Sequence, residues 1–137
     1  MLIETDIIIS LVRRNDKQHY NTLKILEKYR KELLLSPYSL SELDLLIWSD
    51  TFRVKDKELF FKLLGETIKF YDVDVVKPRA LHVAKAYELR LKYDLSFFNS
   101  LHAATAIIEK TPLLSYDRIY GKVKELNYIN PSALVLK

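Results

Sequence analysis

The chain has 137 residues, of which 49% are hydrophobic and 29% charged, and its formal net charge is +4. This length suits one domain over residues 1–137, and the composition is that of a globular protein and not of a disordered one. Because the sequence contains no cysteine, disulfide scaffolds, cysteine-based zinc or iron–sulfur sites and thiol nucleophiles are excluded, and its two isolated glycines exclude phosphate-binding and dinucleotide-binding loops.

Short apolar runs alternate with helical patterns along the chain. Strands are predicted at residues 2–3, 33–36, 70–76 and 113–115, with a last strand inside 127–136. Helices are predicted over 7–12 and 16–31, from Ser36-Pro37 onward, over 55–69, from Pro78 onward, over 97–110, and briefly up to Gly121. This alternation predicts an α/β fold: a three-layer α/β/α sandwich around a central, mainly parallel sheet of four to five strands.

Polar side chains follow the predicted strands. The segment 4–6 follows the first strand, and Ser36 follows the second, with Glu42 farther along the next helix. Asn99 begins the alanine-rich helix, and Ser115 and Asp117 follow the fourth strand. Because ligands of parallel sheets bind outside the carboxyl ends of the strands, these side chains are expected to converge at one edge.

Each of these residues also has a local explanation. Asp6 and Asp117 could cap the helices that follow them. The segment 39–42 has the pattern of a capping box, in which Glu42 would reach back to its own helix start. Asn99 could be an ordinary exposed residue of a first helical turn. The convergence of all these groups at one edge favours a functional site over separate caps.

Four sequence blocks carry a family resemblance. They read LIETDIII at 2–9, SPYSLSEL at 36–43, YDLSFFNSLHAATA at 93–106 and LLSYD at 113–117. Together they resemble the PIN domain, the metal-dependent nuclease fold of many toxin–antitoxin ribonucleases. The blocks span nearly the whole chain in the family's order, and the third block is the most specific.

The resemblance implies a set of site residues. Catalytic positions would be Glu4, Glu42, Asn99 and Asp117, and the ligands of Mg²⁺ or Mn²⁺ would be Glu4, Glu42, Asp117 and Asp6. Thr5, Ser36 and Ser115 would support these ligands or contact a substrate phosphate. The chain departs from the family at two acidic positions, which hold Glu4 in place of aspartate and Asn99 in place of an acid. Asp6 could restore part of the lost charge, and Asp94 is a further, weaker contributor.

Three functions follow from these residues. The first is a Mg²⁺- or Mn²⁺-dependent endoribonuclease, the toxin of a toxin–antitoxin pair. The second is a catalytically weakened PIN domain that binds RNA or a protein, and the third is an unrelated α/β domain whose polar residues are caps. The resemblance implies RNA, a small antitoxin and a second copy of the chain as partners. A candidate surface for a protein partner consists of Leu45, Leu46, Trp48 and Phe52, unless their helix is simply buried on two sides.

The sequence also carries signals of location and source. No apolar run approaches the roughly 18 residues of a membrane span. Glu4 and Asp6 stand where a signal peptide would be positively charged, so we expect a cytoplasmic protein without a membrane partner. One glutamine, one methionine and no cysteine, beside many Lys, Glu and Ile residues, are typical of a thermophilic source.

Overall fold

The computed structural model describes residues 1–135, which form a five-stranded parallel sheet with helices on both faces. The strands are β1 (Leu2–Ile3), β2 (Leu34–Leu35), β3 (Asp74–Val75), β4 (Leu113–Leu114) and β5 (Tyr128–Ile129), in the order β3-β2-β1-β4-β5. The helices are α1 (Thr5–Val12), α2 (His19–Lys28), α3 (Tyr38–Trp48), α4 (Lys57–Phe70), α5 (Ala80–Tyr93), α6 (Phe97–Ile108) and α7 (Ser132–Val135), with a 3₁₀ helix at Arg118–Lys122.

The two residues of each central strand face opposite cores, because successive side chains of a strand alternate between the faces of a sheet. Leu2 and Leu113, which are adjacent in register, pack with the buried residues of α5 and α6. Ile3 and Leu114, also in register, pack on the other face with apolar residues of α1, α2, α3 and α4. The predicted three-layer α/β/α sandwich with a parallel sheet is therefore confirmed.

The strand predicted over 70–76 is wrong at its start. Phe70 is the last residue of α4, and the backbone N–H groups of Asp72 and Val73 still bond to carbonyls of that helix, Lys69 and Ile68. The aromatic and β-branched run therefore includes a helix end and a turn, and β3 keeps only Asp74–Val75. In the window 127–136, β5 is followed by α7, and residue 136 lies outside the described residues.

Left-handed backbone recurs at the ends of the helices. Each of α2 to α6 is followed within a few residues by a non-glycine residue with positive φ: Lys31, Asp50, Asp72, Asp94 and Lys110. Neither glycine of the chain has a positive φ. This conformation ends each helix and turns the chain back toward the sheet. Among residues 1–135, no helix has both the length and the apolar run that a membrane span requires.

Candidate active site

Four predicted site residues come from four different elements. Glu4 directly follows β1, Asp117 lies between β4 and the 3₁₀ helix, Glu42 lies on α3, and Asn99 lies in the first turn of α6. The Asn99 side-chain amide donates to Asp117 Oδ2 at 3.5 Å, which joins α6 to the loop after β4. The carboxyl edge of the sheet therefore brings these groups together from distant parts of the sequence.

The carboxylate of Glu4 is almost fully enclosed, with 4% of the residue exposed. Its Oε1 accepts the backbone N–H of Asp6 at 2.6 Å, so Glu4, and not Asp6, caps α1. Its Oε2 accepts the Tyr120 hydroxyl at 2.6 Å. Burial raises the pKa of Glu4 above its ordinary value, and the negative charge of Glu42 adds to this rise, although the hydrogen bonds from Asp6 and Tyr120 oppose it.

Glu42 takes part in a hydrogen-bonded network and not in a capping box. Its Oε1 accepts the Thr5 hydroxyl and lies 2.9 Å from His102 Nε2. His102 is fully buried on α6, and its Nδ1 lies 2.8 Å from the hydroxyl of Ser36, which is also fully buried. Burial alone would raise the pKa of Glu42, but the hydrogen bonds from His102 and Thr5 hold this pKa below its ordinary value. Glu42 is therefore ionised at neutral pH.

His102 and Tyr120 are two residues of this edge that were not predicted to be site residues. A signal for His102 was present, since Asn99 and His102 are three residues apart and so share one face of the predicted helix. Tyr120 lies three residues after Asp117 in a short segment without a clear period, and nothing in the sequence marks its hydroxyl.

Asp6, in the first turn of α1, joins this helix to the loop after β4. Its Oδ2 accepts the Ser115 hydroxyl at 2.8 Å and the backbone N–H groups of Tyr116 and Asp117 at 2.7 and 3.2 Å. Its Oδ1 is buried without a hydrogen-bond partner. Burial, together with the neighbouring charge of Glu4, raises the pKa of Asp6 to about 9. Asp6 is therefore neutral at pH 7 and makes structural contacts through one oxygen.

Asp117 and Asp94 differ in their position relative to this edge. The Asp117 side chain is exposed, and its Oδ1 accepts the Ile119 backbone N–H at 3.0 Å, so it caps the 3₁₀ helix as one of the local explanations predicted. Asp94 is exposed at the end of α5 in left-handed conformation, where its backbone N–H bonds to Arg90. The carboxylate of Asp117 faces the site, because its Oδ2 accepts the Asn99 amide. Asp94 instead terminates α5 as its C-cap residue.

The site can be compared with the needs of a hard divalent cation. Such ions prefer carboxylate and carbonyl oxygens, and Glu4, Glu42, Asp117 and Asn99 supply that chemistry. The raised pKa of Asp6 and its buried Oδ1 without a hydrogen-bond partner are features that a nearby cation would relieve. However, no three histidine or acidic side chains within residues 1–135 stand together in an arrangement that could hold a metal ion. The donor chemistry fits Mg²⁺ or Mn²⁺. Because the donors are not already grouped around one point, they would have to move closer to one another to bind the ion.

Comparison with known proteins identifies a family and similar structures. The family profile described as PIN domain matches residues 1–126. No curated protein is significantly similar to the chain in sequence. Among solved structures, VapBC2 from Rickettsia felis, bound to a DNA fragment from its promoter, is 20% identical with a TM-score of 0.73, over 94% of this chain and 96% of that one.

Two other solved structures have similar folds. FitAcB from Neisseria gonorrhoeae is 16% identical with a TM-score of 0.70, covering 96% of this chain and 97% of that one. A toxin–antitoxin complex from Klebsiella pneumoniae is 15% identical with a TM-score of 0.66, covering 95% and 96%. At these identities the likeness concerns the fold, and the family match extends over most of the chain.

Proposed function

The chain belongs to the PIN domain family, and on that premise we propose that it is a metal-dependent endoribonuclease, the toxin of a toxin–antitoxin pair, formed by residues 1–137 as one domain. The observation that carries the proposal is the convergence of Glu4, Glu42, Asn99 and Asp117 at the carboxyl edge of the sheet. The compartment that we propose is the cytoplasm, and the substrate is RNA.

The ligands of the ion, Mg²⁺ or Mn²⁺, would be Glu4, Glu42 and Asp117, and Asn99 would lie beside them to orient a water molecule. When bound, such an ion supplies activation of a water molecule and stabilisation of the charge that develops on the scissile phosphate. Glu42 enters the site already ionised, because His102 and Thr5 hold its pKa low. Its second oxygen, Oε2, makes no hydrogen bond within residues 1–135 and is free to bind.

The other polar residues of the edge have supporting roles in this proposal. Thr5 and His102 orient Glu42, and Ser36 orients His102 from behind, inside the protein. Asp6 and Ser115 fix the loop that carries Asp117, since both bond to its backbone N–H. We therefore assign Ser36 and Ser115 to the support of ligands and not to direct contact with a phosphate, because both are fully buried.

A cavity next to Asp6 is compatible with a polyanionic substrate. It has a volume of about 350 Å³ and is lined by Asp6, Asp16, Lys17, Tyr116, Arg118 and Asn130 among others, and none of the proposed ion ligands lines it. Arg118 directly follows Asp117 in the chain, and the cationic groups of Lys17 and Arg118 are suited to the phosphates of a bound RNA. The net charge of +4 acts in the same direction.

Two protein partners belong to the proposal: a small antitoxin and a second copy of this chain. On α3, Leu45 and Trp48 are 54% and 79% exposed, as large apolar residues of an interface would be in the free protein. Phe52 is not part of that surface, because it is 5% exposed and lies under the guanidinium group of Arg13. The apolar surface predicted over 45–52 is thus reduced to its α3 part.

A second candidate is a PIN domain that has lost catalysis and acts by binding RNA or protein. It is favoured by the neutral amide at Asn99 and by the engagement of both Glu4 oxygens with protein donors. The absence of a three-ligand group within residues 1–135 favours it as well.

One experiment separates these two functions. Single-turnover cleavage of a structured RNA pool is measured at fixed Mn²⁺ with the wild type and with Glu42→Gln, alongside calorimetric titration with Mn²⁺. We expect the wild type to bind Mn²⁺ and cleave, and Glu42→Gln to lose at least about a hundredfold in rate. RNA binding without cleavage and without Mn²⁺ binding would instead establish the binding module.

A further inference from the structure

Tyr120 is the one phenol of the described residues whose hydroxyl lies between two positions of the acidic site. It donates to Glu4 Oε2 at 2.6 Å and lies 3.1 Å from Asn99 Oδ1. The residue is fully buried, and its ring packs against Tyr128 with 6.0 Å between ring centroids. The ring is therefore fixed by its surroundings, and only the hydroxyl proton is free to rotate.

The hydrogen bond from Tyr120 to Glu4 offsets part of the free energy that burial of the Glu4 carboxylate costs. A carboxylate buried to 4% exposure requires donors for its oxygens, and here the donors are one backbone N–H and the phenol. The phenol thus makes to Glu4 the kind of contact that a cation would make to the same oxygen. Glu4 is stable without a metal as a result, although it is a ligand in the proposed function.

The same hydroxyl has a second acceptor within reach. Since a hydroxyl carries one proton, it can donate fully either to Glu4 or to Asn99, and the shorter distance favours Glu4 in the absence of metal. Rotation of the proton to Asn99 would release a lone pair on Glu4 Oε2 without moving the buried ring. The amide of Asn99 serves this exchange because its oxygen accepts the hydrogen bond from the phenol while its nitrogen donates to Asp117.

We infer that Tyr120 is a positioning residue whose hydrogen bond to Glu4 Oε2 competes with an ion for that oxygen, and that ion binding shifts the hydrogen bond of the phenol from Glu4 to Asn99. This inference rests on the proposed function, because it concerns the regulation of the same site. Three residues take part: Glu4 is the ligand, Tyr120 competes with the ion for Glu4, and Asn99 is the alternative acceptor of the phenol's hydrogen bond.

The test compares Tyr120→Phe with Tyr128→Phe. Tyr128 is a suitable control because its ring contacts Tyr120, while its hydroxyl accepts from the Asn130 amide and makes no hydrogen bond to Glu4 or Asn99 within residues 1–135. Mn²⁺ affinity is measured by calorimetry, and melting temperature is measured with and without Mn²⁺. We expect Tyr120→Phe to melt lower than the wild type without metal, and to bind Mn²⁺ about three- to tenfold more tightly, the effect of removing one competing hydrogen bond. Tyr128→Phe should bind as the wild type does.

The outcomes distinguish this inference from the proposed function. If the wild type binds Mn²⁺ and cleaves RNA but Tyr120→Phe binds no more tightly, the inference fails and the proposed function stands. If Tyr120→Phe gains Mn²⁺ binding while the wild type neither binds nor cleaves, the inference holds and the proposed function fails. If no variant binds Mn²⁺ at millimolar concentration, both fail.

A second measurement avoids any folding defect of Tyr120→Phe. In wild-type protein labelled with ¹³C at tyrosine Cζ, saturation with diamagnetic Mg²⁺ should shift the Tyr120 signal and leave the Tyr128 signal in place. An unchanged Tyr120 signal in Mg²⁺-saturated protein would overturn the inference.

Discussion

His102 Nε2 lies 2.9 Å from Glu42 Oε1, a contact between a fully buried imidazole on α6 and a partly exposed carboxylate on α3, 60 residues apart. The other ring nitrogen is held by the hydroxyl of Ser36 at the end of β2. The orientation of the Glu42 carboxylate is therefore determined by the protein interior and not by its own helix.

Replacement of His102 should raise the pKa of Glu42 and lower the free energy of unfolding. His102→Ala leaves Ser36 without its partner and creates a cavity, so the free energy of unfolding should fall by about 2–4 kcal/mol. The lowered pKa of Glu42 contributes stability above its ordinary pKa of 4.5, and this contribution is lost as pH falls. In His102→Ala the pKa of Glu42 should rise, and the contribution above pH 4.5 should disappear.

The measurements for His102 are NMR titration of Glu42 and denaturation from pH 3 to 7. His102→Gln keeps a donor near Glu42 and should raise its pKa less than His102→Ala. His82→Gln is the control, since His82 is equally buried but bonds to Tyr38 and Glu109. A Glu42 pKa that is unchanged in His102→Ala would contradict the proposed role of the imidazole.

Asp6→Asn should stabilise the metal-free protein. Between its ordinary pKa of 3.8 and its folded value of about 9, Asp6 holds a proton in the folded state that the unfolded chain has lost. Stability therefore falls as pH rises through this range, by up to about 1.4 kcal/mol per pH unit. The amide oxygen of asparagine can still accept from Ser115 and Tyr116, so the variant should be more stable than the wild type at pH 8 and nearly equal at pH 4.

Chemical denaturation at several pH values without metal tests this prediction. Asp44→Asn, an exposed change on α3, is the control and should leave the pH dependence as it is. Mn²⁺ titration of the same variant tests whether Asp6 is a ligand. A large loss of affinity would assign Asp6 to the ion, as the family resemblance implied, and a small loss would leave it as the connection between α1 and the loop after β4. A wild-type stability that rises from pH 4 to 8 would refute the raised pKa.

Asp117→Asn should separate metal binding from capping. The asparagine oxygen can keep the hydrogen bond from the Ile119 N–H, so the stability loss should stay below about 1 kcal/mol. The lost charge should weaken Mn²⁺ binding about tenfold or more. Asp56→Asn is a matched control, because Asp56 caps α4 through Leu59 N–H, far along the chain from the site. Thermal melts and calorimetry decide, and a large stability loss with unchanged Mn²⁺ affinity would leave Asp117 as a cap alone.

Asn99→Asp should increase both Mn²⁺ affinity and RNA cleavage, because it returns a carboxylate to the family's acidic position without changing size. In the metal-free protein the change should be destabilising, since the amide that donates to Asp117 is replaced by a second negative charge. The melting temperature should therefore fall without Mn²⁺ and recover with it. Paired melts and single-turnover cleavage measure the two effects. No gain in affinity would mean that the charge at position 99 is not what limits the site.

The sheet could be predicted from sequence because its strands are short apolar pairs set between helical patterns. Leu2–Ile3 and Leu113–Leu114 are such pairs, and the rule for carboxyl ends then gives the edge position of Glu4 and Asp117. The start of β3 could not be predicted in this way. Its aromatic run suits the last turn of a helix as well as a strand, and the choice is made by packing of α4 on the sheet.

The contacts of the site were less predictable than its position. The hydrogen bond between Tyr120 and Glu4 spans 116 residues, and that between Ser36 and His102 spans 66. Local periodicity contains no information about such pairs. The family resemblance could not supply them either, because it indicates which residues occupy the motif positions and not which donors a buried glutamate will find.

The left-handed residues that follow α2 to α6 have a consequence for engineering. A side chain with a Cβ costs about 1 kcal/mol more than glycine in this conformation, somewhat less for aspartate, and all five of these positions carry lysine or aspartate. Substitution by glycine at these helix ends should therefore raise the melting temperature without changing the candidate active site. The added stability would offset destabilising substitutions at the sheet edge, such as Asn99→Asp.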